Sequence, residues 1–330
     1  MGGSTFGTIL RLTVFGESRG NEIGAVLDGL ESGFPIDSAA MNTMLRRRRP
    51  SQSSASTSRI ESDEFEITSG VLDGKTTGAP ICIVIPNRDC NSDNAADTLM
   101  RFARPGHADL PYHLRYCNCD HRGGGRASGR LTAAIVAAGS IAIQILSSKG
   151  IEINCQVTSV GGIRGNENNQ DDRNAWESLV QMYRSKGETV GGTVSCRATG
   201  IPAGIGEPLF DKLDAVISHA VMSIPAIKGI EFGSGFGCEF NSGSTNDGPL
   251  MSGGVLGGLS DGTELSFRAA VKPVPTTDVP VEATDLGNMM KRTMTFNERH
   301  DWCICFRICP VVEAMTALSI LDLWYQQHGR

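Results

Sequence analysis

The chain has 330 residues, 40% hydrophobic and 20% charged, proportions that exclude a disordered, collagen-like or coiled-coil protein and leave ample length for a buried core. Thirty Lys and Arg against 36 Asp and Glu give a net charge of −6, so the chain as a whole has no electrostatic pull toward nucleic acid or acidic membranes, and any basic site is local. Forty glycines, about one residue in eight against about 7% on average, point to many turns and close backbone approaches.

In chain order, the alternation from Thr8 to Phe15 predicts a strand that runs into a loop, Gly16-Glu17-Ser18-Arg19-Gly20, with a second strand from Ile23 to Leu30. Asp37 or Ser38 caps a predicted helix from Ala39 to Arg47, which ends in the run Arg46 to Arg49 and Pro50. Ser51 to Ser58 reads as a loop, Phe65 to Leu72 and Pro80 to Ile85 as strands, Gly74 to Gly78 as a turn, and Cys90 to Asp97 as a polar loop. A glycine-rich segment from Arg122 to Gly129 leads into an uncharged helix from Leu131 to Ser148, whose Thr, Ser, Gly and Gln residues mark it as a buried core helix and not a membrane span. Strands are predicted from Glu152 to Val160 and Thr189 to Ala198, a helix from Phe210 to Val221, glycine-punctuated strand up to Lys272, and a closing helix from Cys309 to Gln327. No low-complexity linker or close repeat divides the chain, so one α+β domain over residues 1–330 is expected. Residues 1–11 lack the pattern of a signal peptide and Phe6 breaks the myristoylation pattern; with ten scattered cysteines, this predicts free thiols and a cytoplasmic location.

Gly70 to Thr76 imitates a phosphate-binding P-loop, but it is one residue short between the glycines, and Pro80 interrupts the helix that must follow. No Gly-x-Gly-x-x-Gly follows a strand. Cys117, Cys119 and His121, and Cys303, Cys305 and Cys309, offer soft ligands at spacings unlike those of zinc sites, so no metal is expected. A stronger signal lies between Arg101 and Arg130, where six arginines (101, 104, 115, 122, 126 and 130) and three histidines face only Asp109 and Asp120. Arginine forks beside Gly123, Gly124 and Gly125 at a helix start suit carboxylate and phosphate, which predicts a site for a small polyanion.

These residues resemble one family in one order along almost the whole chain, chorismate synthase. The blocks are Thr13 to Gly20, Arg47 to Pro50, Gly74 to Pro80, Arg104 to Asp109, Arg122 to Arg130, Met222 to Phe232, Gly253 to Gly258, Lys272-Pro273 and Arg299-His300-Asp301. The resemblance implies an α+β fold with a β-sandwich core of antiparallel sheets and helices packed outside, a homotetramer, tightly bound reduced FMN, and NADPH as a candidate reductant. It implies a 1,4-anti elimination of phosphate from 5-enolpyruvylshikimate 3-phosphate, giving chorismate. Carried over position by position, it assigns substrate anions to Arg48, Arg59, Arg104 and Arg130, and FMN to Arg126, Ala127, Ser128, Ala226, Gly257, Lys272, Pro273, Val274, Pro275, Thr276 and Arg299. It gives His107 the stabilisation of reduced flavin, and Asp301 with Ser18 the relay of the ring proton.

The departures sit inside the motifs. Arg19 replaces the histidine of the family's first motif; a guanidinium neutralises a leaving phosphate but stays protonated and cannot be its general acid. Ser54 stands in place of an anion-binding arginine, Ala127 of a serine, Leu131 of a glutamate, Pro225 of an asparagine, and Leu250-Met251 of asparagines, which predicts fewer hydrogen bonds to the flavin. The favoured expectation is an active chorismate synthase with an arginine-modified phosphate site. The alternatives are a family member that keeps flavin or anion binding without the elimination, and a cysteine-ligated metal protein.

Overall fold

A computed structural model describes residues 3–50, 55, 57, 59, 61–89, 101–120, 122–245, 249–296 and 299–329. Ser54, His121 and the 90–97 segment lie outside them. The first sheet contains β1 (Thr5–Phe6), β2 (Arg11–Gly16), β3 (Glu22–Asp28), β4 (Glu66–Ser69) and β5 (Ile81–Pro86), in the order β1-β2-β3-β5-β4 and antiparallel throughout. The second contains β6 (Glu152–Val160), β7 (Ile163–Arg164), β8 (Gly192–Thr199), β9 (Ile227–Phe232) and β10 (Leu265–Val271), in the order β7-β6-β8-β10-β9, also antiparallel. Among the described residues the helices of eight residues or more are α1 (Ser38–Arg48), α2 (Asp109–Tyr116), α3 (Thr132–Ser148), α4 (Gln170–Ser185), α5 (Leu213–Met222) and α6 (Cys305–His328).

The α+β class and the antiparallel sheets are as expected; the layer order is different. Helix α3 packs on β3 and β5 of the first sheet, α6 packs on β6 and β8 of the second, and the two helices pack on each other. These two helices therefore lie between the sheets and not outside them. The reason is legible in the residues: α3 buries 12 of its 17 residues and α6 buries 18 of its 24, on all sides, so neither has a solvent face to offer. Their close approach depends on Gly139, where a Cβ atom would stand 2.4 Å from that of Ala314. Helix α3 with its preceding turn, 129–148, is long and apolar enough to cross a membrane, and its burial between a sheet and α6 accounts for that apolarity. One core cluster runs from Leu10 to Tyr325, and a small satellite contains Ala283 and Phe296.

Local chemistry explains the element ends. Asp37 caps α1 by accepting from the Ala39 and Ala40 amides, at 2.8 and 3.1 Å. The predicted strand from Phe65 to Leu72 is broken at Gly70, and the turn falls at Asp73-Gly74, both with positive φ (50° and 74°), closing a hairpin between Val71–Leu72 and Lys75–Thr76. Helix α4 is not among the predicted elements; Asn169 caps it, Asp171 and Asp172 occupy its first turn, and Trp176 and Val180 anchor it.

Candidate active site

Two glycine-bearing loops meet at the mouth of the helix layer. The Ser18 amide donates to the Gly125 carbonyl at 3.1 Å, joining the loop after β2 to the segment before α3. Gly123, Gly124 and Gly125 all have positive φ (57°, 85° and 52°), and a side chain at Gly125 would strike the Asp120 carbonyl, so this path needs glycine. Around these loops lies a cavity of about 500 Å³, a size suited to small-molecule ligands. Seven arginines (19, 48, 59, 104, 130, 299 and 307) and Lys272 line it, against the acids Glu61 and Asp301. Another part of the wall is apolar: Ile224, Pro225, Ala226, Ile304, Ile308 and Val311.

The deep arginines are held by buried carboxylates. Asp63, fully buried with φ of 47°, accepts Arg48 Nη1 on one oxygen at 3.0 Å and Arg130 Nη1 on the other. Arg48 also donates to Thr132 Oγ1 and the Gly129 carbonyl, and burial pushes its guanidinium down to about 10, against the pull of Asp63. Burial pushes the Asp63 carboxyl up, but Arg48 and Arg130 outweigh it and hold it below its ordinary value. Arg104 grips Asp109 with Nε at 2.8 Å and Nη2 at 3.0 Å, and its backbone amide adds a third bond. Burial raises the Asp109 carboxyl as well, and these bonds to Arg104 bring it below the ordinary value. Arg59 donates to Glu61 and, through Nη1, to Ser18 Oγ at 2.9 Å; burial lowers its guanidinium despite Glu61.

The rim is built differently. Arg299 makes a two-point pair with Asp89, at 2.7 and 2.8 Å, and Arg19 Nη1 donates to the Asp89 carbonyl at 3.3 Å. The Asp89 segment is itself held by Glu61, which accepts from the Arg88 amide at 3.0 Å. Asp301 receives Arg307 Nη1 at 2.7 Å on both oxygens and the Thr57 amide at 3.0 Å.

His107 lies 2.8 Å from Thr276 Oγ1 through Nε2. Burial, with Arg104 adding repulsion, pushes its imidazole down to about 3. At neutral pH the ring is therefore uncharged and acts through hydrogen bonds. Lys272, also lowered by burial, donates to the Gly106 carbonyl at 2.9 Å.

Of the residues singled out from the sequence, Ser18, Arg19, Arg48, Arg59, Arg104, His107, Ala127, Ser128, Arg130, Ala226, Lys272, Val274, Pro275, Thr276, Arg299 and Asp301 line the cavity. Arg126, Gly257 and Pro273 do not. Arg126 is exposed, bonded to Ser4 Oγ at 2.7 Å with its guanidinium over the Tyr116 ring, and Gly257 sits in the turn between Val255–Leu256 and Leu259–Ser260. The arginine cluster also divides. Arg104 and Arg130 enter the cavity, whereas Arg101 pairs with Asp285 and Arg122 with Asp120, and Arg115 lies over Tyr116. Sequence reasoning missed Glu61, Asp63, Asp89 and Arg307. The only available signal was the alternation of acids from Glu61 to Glu66 after an arginine run. Among the described residues no three His, Cys, Asp or Glu side chains converge as a metal site.

The family model for chorismate synthase matches residues 10–325. A chorismate synthase of Nitratidesulfovibrio vulgaris (strain Miyazaki F) is 41% identical, covering 98% of both chains, and that of Methanococcoides burtonii is 42% identical, covering 98% of this chain and 96% of its own. A crystal structure of chorismate synthase superposes with a TM-score of 0.76 at 27% identity, over 98% of this chain and 94% of the other.

Proposed function

Because the chain belongs to the chorismate synthase family, whose members are lyases, we propose that it converts 5-enolpyruvylshikimate 3-phosphate to chorismate by 1,4-anti elimination of phosphate. The observation that carries this reading is the donor set: a cavity lined by arginines fixed by buried acids, opposite an apolar wall. The substrate carries two carboxylates and a phosphate, and guanidinium forks that are already oriented neutralise them without reorganising.

The same two walls suit FMN, whose ring needs an apolar surface and whose phosphate needs cations. Ala127, Ser128, Ala226, Lys272, Val274, Pro275, Thr276 and Arg299 are the residues that would hold it. Reduced FMN, when bound, supplies electrons to the elimination with no net redox change. Arg48, Arg59, Arg104 and Arg130 bind the substrate anions. Arg19 neutralises the departing phosphate; the ester's second ionisation lies near pH 6, so about a tenth of it keeps its proton at neutral pH, and that form departs as hydrogen phosphate with no separate general acid. Asp301 takes up the ring proton, with Ser18 beside Arg59 as its partner in the relay. His107 contributes a neutral hydrogen bond, since its burial keeps the ring uncharged.

The reading extends to the shikimate pathway of aromatic amino acid biosynthesis, to one folding unit over residues 1–330, to a homotetramer in the cytoplasm, and to NADPH as a reductant of the flavin. The continuous core from Leu10 to Tyr325 supports the single unit. The test is an anaerobic assay with chemically reduced FMN and the enolpyruvyl substrate, following phosphate and chorismate together. Equal, enzyme-dependent release of both is expected; neither rising above background would overturn the reading.

A further inference from the structure

We propose that Arg307 is a positioning residue for Asp301, a role that rests on the elimination proposed above. Arg307 lies in the first turn of α6, outside every motif block that the sequence presents. Its Nη1 donates to both Asp301 oxygens at 2.7 Å, and its Nε donates to the Arg48 carbonyl at 2.9 Å. The Asp301 and Arg307 side chains are each 12% exposed, and both residues line the cavity. One guanidinium thus joins the proton acceptor to the end of α1, the helix end that also carries the Arg48 side chain.

The geometry accounts for what this joint does. A carboxylate on a loop turns freely about its two side-chain torsions, and a misplacement of about 1 Å at a reacting group costs about 100-fold in rate. Arg307 occupies one edge of Asp301, and the Thr57 amide adds a bond to Oδ1 at 3.0 Å. The carboxylate therefore has one orientation, with its remaining lone pairs left for a proton. Arg307 is in turn stationary because its Nε is anchored on backbone at the end of a helix packed against both α3 and α6. Arg307 acts through Asp301, so its removal slows the chemical step more than it weakens binding.

Two readouts test this. In the anaerobic assay Arg307→Lys, which keeps the charge and loses the fork, lowers kcat about 100-fold and leaves KM within about threefold, and ethylguanidine restores about tenfold to Arg307→Ala. Combined with Asp301→Asn, Arg307→Lys adds no further loss. Independently of turnover, hydrogen exchange at the Thr57 amide rises about tenfold in Arg307→Lys, because Asp301 no longer holds it. The Leu10 amide, held by Asp322 at 2.8 Å, serves as an unchanged control. A rise in KM that matches the fall in kcat, no rescue by ethylguanidine, or unaltered Thr57 exchange would each overturn the proposal. If the wild-type enzyme makes no chorismate, the elimination fails as a reading, and Thr57 exchange alone decides whether Arg307 positions Asp301.

Discussion

The floor and the rim of the cavity use the same residue type in opposite ways. On the floor, Arg48, Arg104 and Arg130 are paired with Asp63 and Asp109, whose carboxylates are at most 3% exposed. At the rim, Arg299 is paired with Asp89 at 32% and 19% exposure, in reach of water and salt. A buried carboxylate cannot be exchanged for solvent, so it orients a guanidinium before any ligand arrives. A rim carboxylate holds its arginine weakly, and an incoming phosphate can displace it. The floor is thus built for precision and the rim for exchange.

Four measurements break or sharpen that contrast. The largest effect belongs to Asp63→Ala, which strips both Arg48 and Arg130 of their partner. Loss of about 3–5 kcal/mol of stability in urea unfolding is expected, as for other broken buried pairs, together with nearly complete loss of activity. A change below 1 kcal/mol would show that Asp63 does not organise the floor.

The next effect is a pH dependence. His107 is lowered to about 3 in the folded protein, below its ordinary value of 6.5. Between those values the unfolded chain binds a proton that the folded one refuses, so stability falls as pH drops from about 6.5 toward 3. From pH 6.5 to 5 the loss is about 2 kcal/mol, and His107→Gln abolishes that portion. Asp63 and Asp109 act in a lower window: their lowered carboxyls contribute stability above the ordinary carboxylate value, and it is lost as pH falls through their folded values. An unchanged slope in His107→Gln between pH 6.5 and 5 would show that the imidazole is not excluded from protonation.

Third comes Arg19, at the rim, where charge matters more than fork geometry. Arg19→Ala is expected to lower kcat/KM about tenfold and Arg19→Lys about threefold, a difference near 0.7 kcal/mol. Equal losses would mean that its charge plays no part. The smallest effect is that of Asp89→Asn: less than 1 kcal/mol in stability, fading at high salt, with tighter ligand binding because Arg299 is released. A loss as large as that of Asp63→Ala would erase the distinction between rim and floor.

Much of this molecule follows from local chemistry that a sequence displays. The Asp37 cap places α1, and alternation places β6 over the same residues as predicted, Glu152 to Val160. Motif blocks pointed to Arg19, Arg48, Arg104, Arg130 and Arg299 because each sits in a short, distinctive segment. Helix α4 was hidden because its charged surface masks a narrow apolar stripe around Trp176 and Val180. Asp63 and Arg307 were hidden for another reason: an acid four residues beyond one arginine carries no sign that Arg48 and Arg130 are its partners, and an arginine in an apolar helix carries no sign that it turns back to Asp301 and to the Arg48 carbonyl.

By itself, then, the sequence determined the fold class, the basic character of the site and most of its lining, since helix caps, strand alternation and glycine loops depend on neighbours along the chain. Only the tertiary structure decided that α3 and α6 lie between the sheets, that two of the six clustered arginines enter the cavity, and which carboxylate holds each guanidinium. It also decided the state of His107, because the burial and the nearby Arg104 charge that suppress its proton come from the packed surroundings. Burial and pairing energies depend on distance in space, and that distance is set only when the helix layer closes against both sheets.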